Sequence, residues 1–434
     1  MTTPFRTSTD TVDRLLNEVH QAQGVSTDTR DALGGLVFWA LTGERFDGND
    51  FVETALKQGA AHVVSNRTEW LEEPRVTVVE DVLDALQATA RALRRTWDCP
   101  VLALTGSNGK TTTKELLRDV LAEGMGVHAT SGNFNNHIGV PLTLLRAPAQ
   151  PEFVVVEMGA NHQREIALLC AIAEPSHGCI TNIGLAHLEG FGGEAGVYKG
   201  KKELFDHLAA NHGTAFVNMA DPKVVRAAEE VGQHVPISLE GWTWSTSKGA
   251  GPATVAGPSG STFNVHLEGD YNLMNVAAAW TVGRHFGISE EACNRALSNY
   301  VPSNHRSQVV HTERNWVLLD AYNANPSSVT HALASFASKG HPHPLVVLGG
   351  MAELGEASDQ AHLDTVNDAL GRGLELWTVG QAFGRVPQQD GQARTHFDHL
   401  EALVAYVQSH PLEGRQILVK GSRSAQLEKL MPSL

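Results

Sequence analysis

Residues 101–117 read VLALTGSNGKTTTKELL, and their order of composition decides the fold of the middle of the chain. Val101–Thr105 is an apolar run of strand composition. Gly106 and Gly109 supply the backbone freedom of a tight loop, and after Lys110 and Thr111 the residues Leu116, Leu117, Val120 and Leu121 recur at helical spacing, with Gly124 closing the segment. Strand, glycine loop and helix together form a phosphate cradle. Amides of the loop Gly106, Ser107, Asn108, Gly109 and of Thr112 at the helix start present positive partial charge, and Lys110 adds a full one. The Thr111 hydroxyl suits the Mg²⁺ that accompanies a nucleotide. The full GxxxxGK[ST] pattern would need glycine at 104; this chain has Leu104, so the loop is the shortened form GxxGKT.

A chain of 434 residues exceeds one compact core and predicts three domains. Hydrophobic residues at 42% and charged residues at 19% fit a soluble globular enzyme and exclude a disordered chain. No apolar run approaches the roughly 20 residues that span a bilayer. The first 25 residues lack the basic-then-apolar profile of a secretion signal, so a cytoplasmic location is expected. Cys99, Cys170, Cys179 and Cys293 lack CxxC spacing, which argues against a zinc site or a disulfide framework. A net charge of −15, with no basic block beyond Lys199, Lys201 and Lys202, argues against a nucleic-acid partner.

The predicted fold class is α/β in three domains: a small α/β unit at 1–98, a central parallel-sheet P-loop domain at 99–302 and a Rossmann-like domain at 303–434. In the first, STDTR at 26–30 and TGERFDGNDF at 42–51 crowd small polar groups around an arginine; composition alone favours ordinary turn chemistry. In the second, Glu157 ends an apolar strand at 153–156, where a Mg²⁺ ligand or an N-cap carboxylate would stand. His187 and Glu189 emerge from the glycine-rich IGLAHLEGFGG, and NFNNH at 133–137 places Asn135 and Asn136 before a helix, where such amides hydrogen-bond the sugars, amides and phosphates of a substrate or else cap the loop. Three lysines in GVYKGKKELF normally mark a solvated helix start. Crowding would also depress their pKa and free one amine to take up CO₂ as a carbamate. Residues 241–260 read as irregular hairpins. Asn272 and Asn275, one helical turn apart, could both face a base. In the third domain four predicted strands end in DAYNANPSS, GGMAELGE, GQAFG and KGSRS, so these loops are expected to line one crevice.

Taken together, DTR, ERFDGNDF and QGAAH, then TGSNGKTTTKE, NFNNHIGVPLTLL, EMGANHQREI and NIGLAHLEGFGG, then DAYNANPSS, MAELGE and KGSRS resemble the Mur ligase family over nearly the whole chain, most closely its MurF type. The resemblance implies an ATP-dependent amide ligase of peptidoglycan precursor synthesis. ATP would phosphorylate the terminal carboxylate of UDP-N-acetylmuramoyl-tripeptide, and the amine of D-alanyl-D-alanine would then attack the acyl phosphate. It also implies roles for residues. Lys110 and the loop amides stabilise the transferring phosphoryl group, Thr111 and Glu157 hold one Mg²⁺, and His187 with a carbamylated Lys201 holds a second. Asn275 meets adenine, Asp320 the ribose and Arg306 the ATP phosphates. Asn323, Asn325 and Ser327 receive the dipeptide, with Lys420 or Arg423 as its cation. Ser26, Arg30, Asp47 and Gly48 grip the uridine diphosphate, and a monomer is expected. A folylpolyglutamate synthase-like ligase and a non-catalytic nucleotide-binding relative are the competing readings; residues 1–98 discriminate against the former.

Overall fold

The computed structural model of the protein describes residues 5–246, 252–302, 306–388 and 392–434. The expected domain boundary at 302/303 and part of the 241–260 segment fall outside the described residues.

A six-stranded sheet organises the middle of the chain, in the order Gln233–Ile237, Thr214–Asn218, His177–Ile180, Val101–Thr105, Phe153–Glu157, Val127–Ala129, with every pairing parallel. Its central strands are buried on both faces, which explains their uninterrupted apolar runs. Leu102, Leu104 and Val155 pack with Leu116, Leu117 and Val276 on one side, while Ala103, Val154 and Val156 pack with Ile166, Leu169 and Leu204 on the other. The chain leaves the Val101–Thr105 strand first to one side of the sheet and later to the other. That reversal opens a crevice at the carboxyl ends, where the phosphate loop sits. Three antiparallel strands, Thr243–Ser245, Ala253–Ala256 and Thr262–Val265, flank this unit, in keeping with hairpins at 241–260.

The first unit is a four-stranded parallel sheet of Val25–Ser26, Val37–Trp39, His62–Ser65 and Val76–Val78. One apolar cluster runs from Leu15 and Trp39 through Leu86 and Leu93 to Leu142 and Leu169, so the first and central units share a core. Arg91 and Arg95 clasp Glu174 at that junction, with Arg91 Nε 2.7 Å and Arg95 Nη2 2.8 Å from Glu174 Oε1.

In the third unit the order is Gln308–His311, Trp316–Asp320, Gln416–Lys420, Pro344–Gly349, Glu375–Val379, Arg394–Phe397; the first of these is antiparallel to its neighbour and the rest pair in parallel. The final strand is inserted between earlier ones. Asp320 and Lys420 therefore end side by side, whereas GQAFG follows a strand two places away. The expectation that all four loops line one crevice is corrected accordingly: neither GGMAELGE nor GQAFG contributes a residue to the cavity lining, GQAFG because strand order separates it and GGMAELGE because it turns its Glu353 onto His187. Among the described residues no helix is long and apolar enough to cross a membrane.

His177 begins a central strand and lies among Phe216, Phe286 and His285. Burial lowers its pKa from an ordinary 6.5 to about 4. The folded chain thus binds fewer protons than the unfolded chain between those values, and stability falls as pH drops through that window. His177→Gln is expected to flatten the dependence of Tm on pH between about 6.5 and about 4, measured by thermal unfolding against wild type. An unchanged slope would assign the acid sensitivity elsewhere.

Candidate active site

The phosphate loop takes its shape from two glycines with left-handed backbone: φ is 147° at Gly106 and 79° at Gly109. A Cβ at Gly106 would meet Thr181 Oγ1 at 1.9 Å, so no side chain fits there. Asn182 accepts Asn108 N–H at 3.0 Å through its side chain and Ser107 N–H at 3.0 Å through its carbonyl. With those amides occupied, the helix Lys110–Leu121 starts without a side-chain cap, and its first-turn N–H groups remain for an anion. Lys110 folds back over the loop, Nζ donating to Gly106 O at 2.7 Å. Desolvation lowers its pKa to about 8, opposed by Glu157 and reinforced by Arg306.

Around this loop lies a cavity of about 760 Å³. Glu157 is buried in its wall, where its carboxylate accepts from Thr111 Oγ1 at 2.9 and 3.1 Å and from Asn135 Nδ2 at 2.8 Å. Thr112, Asn136, His187 and Asn275 also line the cavity from the central unit. Both ends of the Asn275 amide are occupied: Oδ1 accepts from Thr113 Oγ1 at 3.0 Å and Nδ2 donates to Asn272 Oδ1 at 2.8 Å. That amide braces the phosphate loop, since a Cβ on Gly109 would stand 2.6 Å from its Oδ1.

The third unit closes the other side with Arg306, Asp320, Asn323, Asn325, Ser327 and Lys420. The Arg306 guanidinium lies 3.7 Å from the Tyr322 ring centroid, and its Nε has no hydrogen-bond partner among the described residues. Lys420 is buried and its Nζ donates to Asp320 Oδ2 at 2.5 Å. Arg423, expected as a possible acceptor cation, is absent from the lining. It is exposed and bonds Glu428 Oε1 at 2.9 Å, because the Arg423–Ala425 turn carries it away from the strand end. That expectation is corrected for Arg423.

The helix Glu194–Ala210 sends its three lysines in different directions. Lys199 is exposed, Lys202 pairs with Asp206 and Glu230, and Lys201 is fully buried, its Nζ donating to Ala160 O at 3.3 Å. Lys201 is held well below the ordinary lysine pKa by burial first and the charge of Lys110 second. Of the two readings of this run, the solvated helix start holds for exposed Lys199, and mutual depression by crowding is corrected: burial and Lys110, not its neighbours in the run, depress Lys201.

The first-unit residues lie outside the cavity lining. Ser26 is buried and its Oγ donates to Asp31 Oδ2 at 2.8 Å; Arg30 pairs with Asp28. Asp47 accepts from Asn49 N–H at 2.9 Å and from Arg67 at 2.8 Å, and Gly48 packs so closely that a Cβ would meet Leu41 O at 2.5 Å. This unit is tied to the cavity wall by Gln87 Nε2 donating to His137 O at 2.9 Å.

Three stretches match family descriptions: residues 21–94 the Mur ligase family catalytic domain, 104–283 the Mur ligase middle domain, and 305–423 the Mur ligase glutamate ligase domain. A UDP-N-acetylmuramoyl-tripeptide–D-alanyl-D-alanine ligase of Bacillus subtilis is 34% identical over 95% of this chain and 93% of that protein. The chain belongs to the Mur ligase family. Among solved structures it is similar to MurF from Acinetobacter baumannii, with a TM-score of 0.84 and 30% identity over 97% of this chain and 98% of that one. It is also similar to MurF from Thermotoga maritima in complex with ADP, with a TM-score of 0.83 and 26% identity over 95% and 97%.

Several residues of this Mur ligase site escape a reading of the sequence. Lys114 is buried with Nζ 3.8 Å from Glu157 Oε2, and its position one helical turn beyond Lys110 was the available signal. Asn182 stands at a strand end, where position alone could have found it. Tyr322 is hidden within DAYNANPSS among more polar candidates.

Asn325 joins the two halves of the site. Its Oδ1 caps the helix Pro326–Ser338 by accepting Ser328 N–H at 2.9 Å, and its Nδ2 donates to Asn108 Oδ1 at 2.8 Å. Asn325→Asp keeps a capping oxygen and loses the amide donor. It is expected to leave the urea midpoint near wild type while lowering kcat/KM by about 10-fold, the worth of one such hydrogen bond. A fall in stability with unchanged kinetics would confine Asn325 to capping.

Proposed function

We propose that this Mur ligase joins D-alanyl-D-alanine to UDP-N-acetylmuramoyl-tripeptide at the expense of ATP. The observation that carries the reading is the cavity itself, built by the phosphate loop and Glu157 on one side and by Arg306, Asn323 and Ser327 on the other. Residues 1–98 would bind the uridine diphosphate, 99–302 ATP, and 303–434 the incoming dipeptide while completing the nucleotide site.

A carboxylate resists attack by an amine until it carries a leaving group. The terminal carboxylate of the tripeptide attacks the γ-phosphorus and releases ADP; the dipeptide nitrogen then attacks the acyl carbon and phosphate leaves with the C–O electrons. Lys110, Arg306 and the first-turn amides hold charge that spreads over the transferring phosphoryl oxygens. Thr111 and Glu157, whose oxygens lie together in the cavity wall, would hold a Mg²⁺ ion, and the ion would neutralise phosphate charge. Among the described residues no group of three His, Cys, Asp or Glu side chains stands ready for a metal. A second ion at His187 would take a carbamate of Lys201 as a further oxygen donor. Asn323 and Ser327, which line the cavity, would meet the dipeptide. Lys420 is already neutralised by Asp320, so a ribose that recruits Asp320 would release the lysine for the dipeptide carboxylate.

Release of ADP by the purified protein is expected with ATP and UDP-N-acetylmuramoyl-tripeptide when D-alanyl-D-alanine is added, with glutamate a poor substitute. Preference for glutamate would favour the folylpolyglutamate synthase-like reading, and no release with any acceptor would favour a non-catalytic one.

A further inference from the structure

Glu353 lies in GGMAELGE of the third unit, yet its carboxylate meets His187 of the central unit, 166 residues away, through Oε2 and the imidazole Nδ1. The backbone reinforces the contact: Glu189 N–H reaches Glu353 O at 3.4 Å, and a Cβ on Gly355 would stand 3.4 Å from the Glu189 side chain. His187 and Glu353 are both non-glycine residues with left-handed backbone, φ 53° and 60°. Such conformations cost on the order of 1–3 kcal/mol each and persist where surrounding structure enforces them. Here they point two side chains at one another across the junction.

A carboxylate on one ring nitrogen of histidine fixes the tautomer. Nδ1 keeps its proton and donates it to Glu353, and the lone pair is left on Nε2. His187 lines the cavity and Glu353 does not. We propose that Glu353 is a positioning residue: it holds His187 as the Nδ1–H tautomer with Nε2 free to bind a divalent ion, so that the third unit prepares a ligand belonging to the central one. This rests on the reading of His187 as a metal ligand.

The test uses the full chain with a non-hydrolysable ATP analogue, UDP-N-acetylmuramoyl-tripeptide and Mn²⁺, followed by electron paramagnetic resonance, together with ¹⁵N chemical shifts of the His187 ring in the metal-free protein. Glu353→Gln and Glu353→Ala are expected to weaken the more weakly held Mn²⁺ by about 10- to 100-fold and to mix the two tautomers, with the tightly held ion unaffected. If His187→Ala weakens that ion but neither Glu353 variant does, Glu353 has no positioning role. Should His187→Ala itself leave Mn²⁺ binding intact, the metal reading of His187 fails and this inference with it. An unchanged tautomer in Glu353→Ala would overturn it irrespective of metal affinity.

Discussion

Lys201→Ala is expected to lower ligation by about 10²- to 10³-fold, the scale of removing one charge-stabilising group from a phosphoryl or acyl transfer site. Formate or acetate should restore part of it. The reasoning begins with burial. Lys201 is 1% exposed, makes one hydrogen bond to a carbonyl and has no carboxylate in ion-pair range among the described residues. A protonated amine is costly there, and Lys110 adds repulsion, so the amine gives up its proton far more readily than an ordinary lysine. A neutral amine can add to CO₂, forming an N–C bond and releasing a proton, and the product is an anion that the positive charge of Lys110 would attract rather than repel. Lys199→Ala, on the exposed face of the same helix, should be mild. Mass spectrometry under bicarbonate, paired with rescue of the alanine variant, separates this from a packing role: near-normal activity in Lys201→Ala would rule the carbamate out.

What the sequence disclosed and what it withheld follow from the range of each interaction. The phosphate loop was legible because glycine spacing and the change from strand to helix period lie within seventeen neighbouring residues, and the structure places its strand at Val101–Thr105 and its helix at Lys110–Leu121. Glu157 was legible as a residue at a strand end. Edge strands were not: Gln233–Ile237 contains Pro236 and is largely exposed, and Gln308–His311 lacks a buried run, so neither shows the apolar signal of a central strand. Lys201 differed from Lys199 and Lys202 only through packing that helical position alone does not reveal. Lys420 and Arg423 looked equivalent in KGSRS, yet one ends a central strand and the other follows a turn into solvent. Glu353 could not be matched with His187 at all, since nothing local records a contact between two units.

Lys110→Ala is expected to reduce kcat by about 10²- to 10³-fold, with ATP affinity also weakened. Lys110→Arg should recover little, because a planar guanidinium does not reproduce the compact ammonium whose Nζ sits 2.7 Å from Gly106 O. The pH dependence gives a sharper expectation. In the free protein the amine is desolvated and its pKa lies at about 8, so the charge that recruits the nucleotide is present below that value and is lost as pH rises through it. Bound polyphosphate adds negative charge beside the amine and raises its pKa again. Since kcat/KM reports the free enzyme and kcat the bound one, kcat/KM for ATP should fall above about pH 8 while kcat persists to higher pH. Profiles of both constants, with the other two substrates saturating, provide the measurement. Parallel decline of kcat and kcat/KM would mean that bound nucleotide does not re-protonate Lys110, and a flat kcat/KM beyond pH 9 would mean that its amine is not the group that recruits ATP.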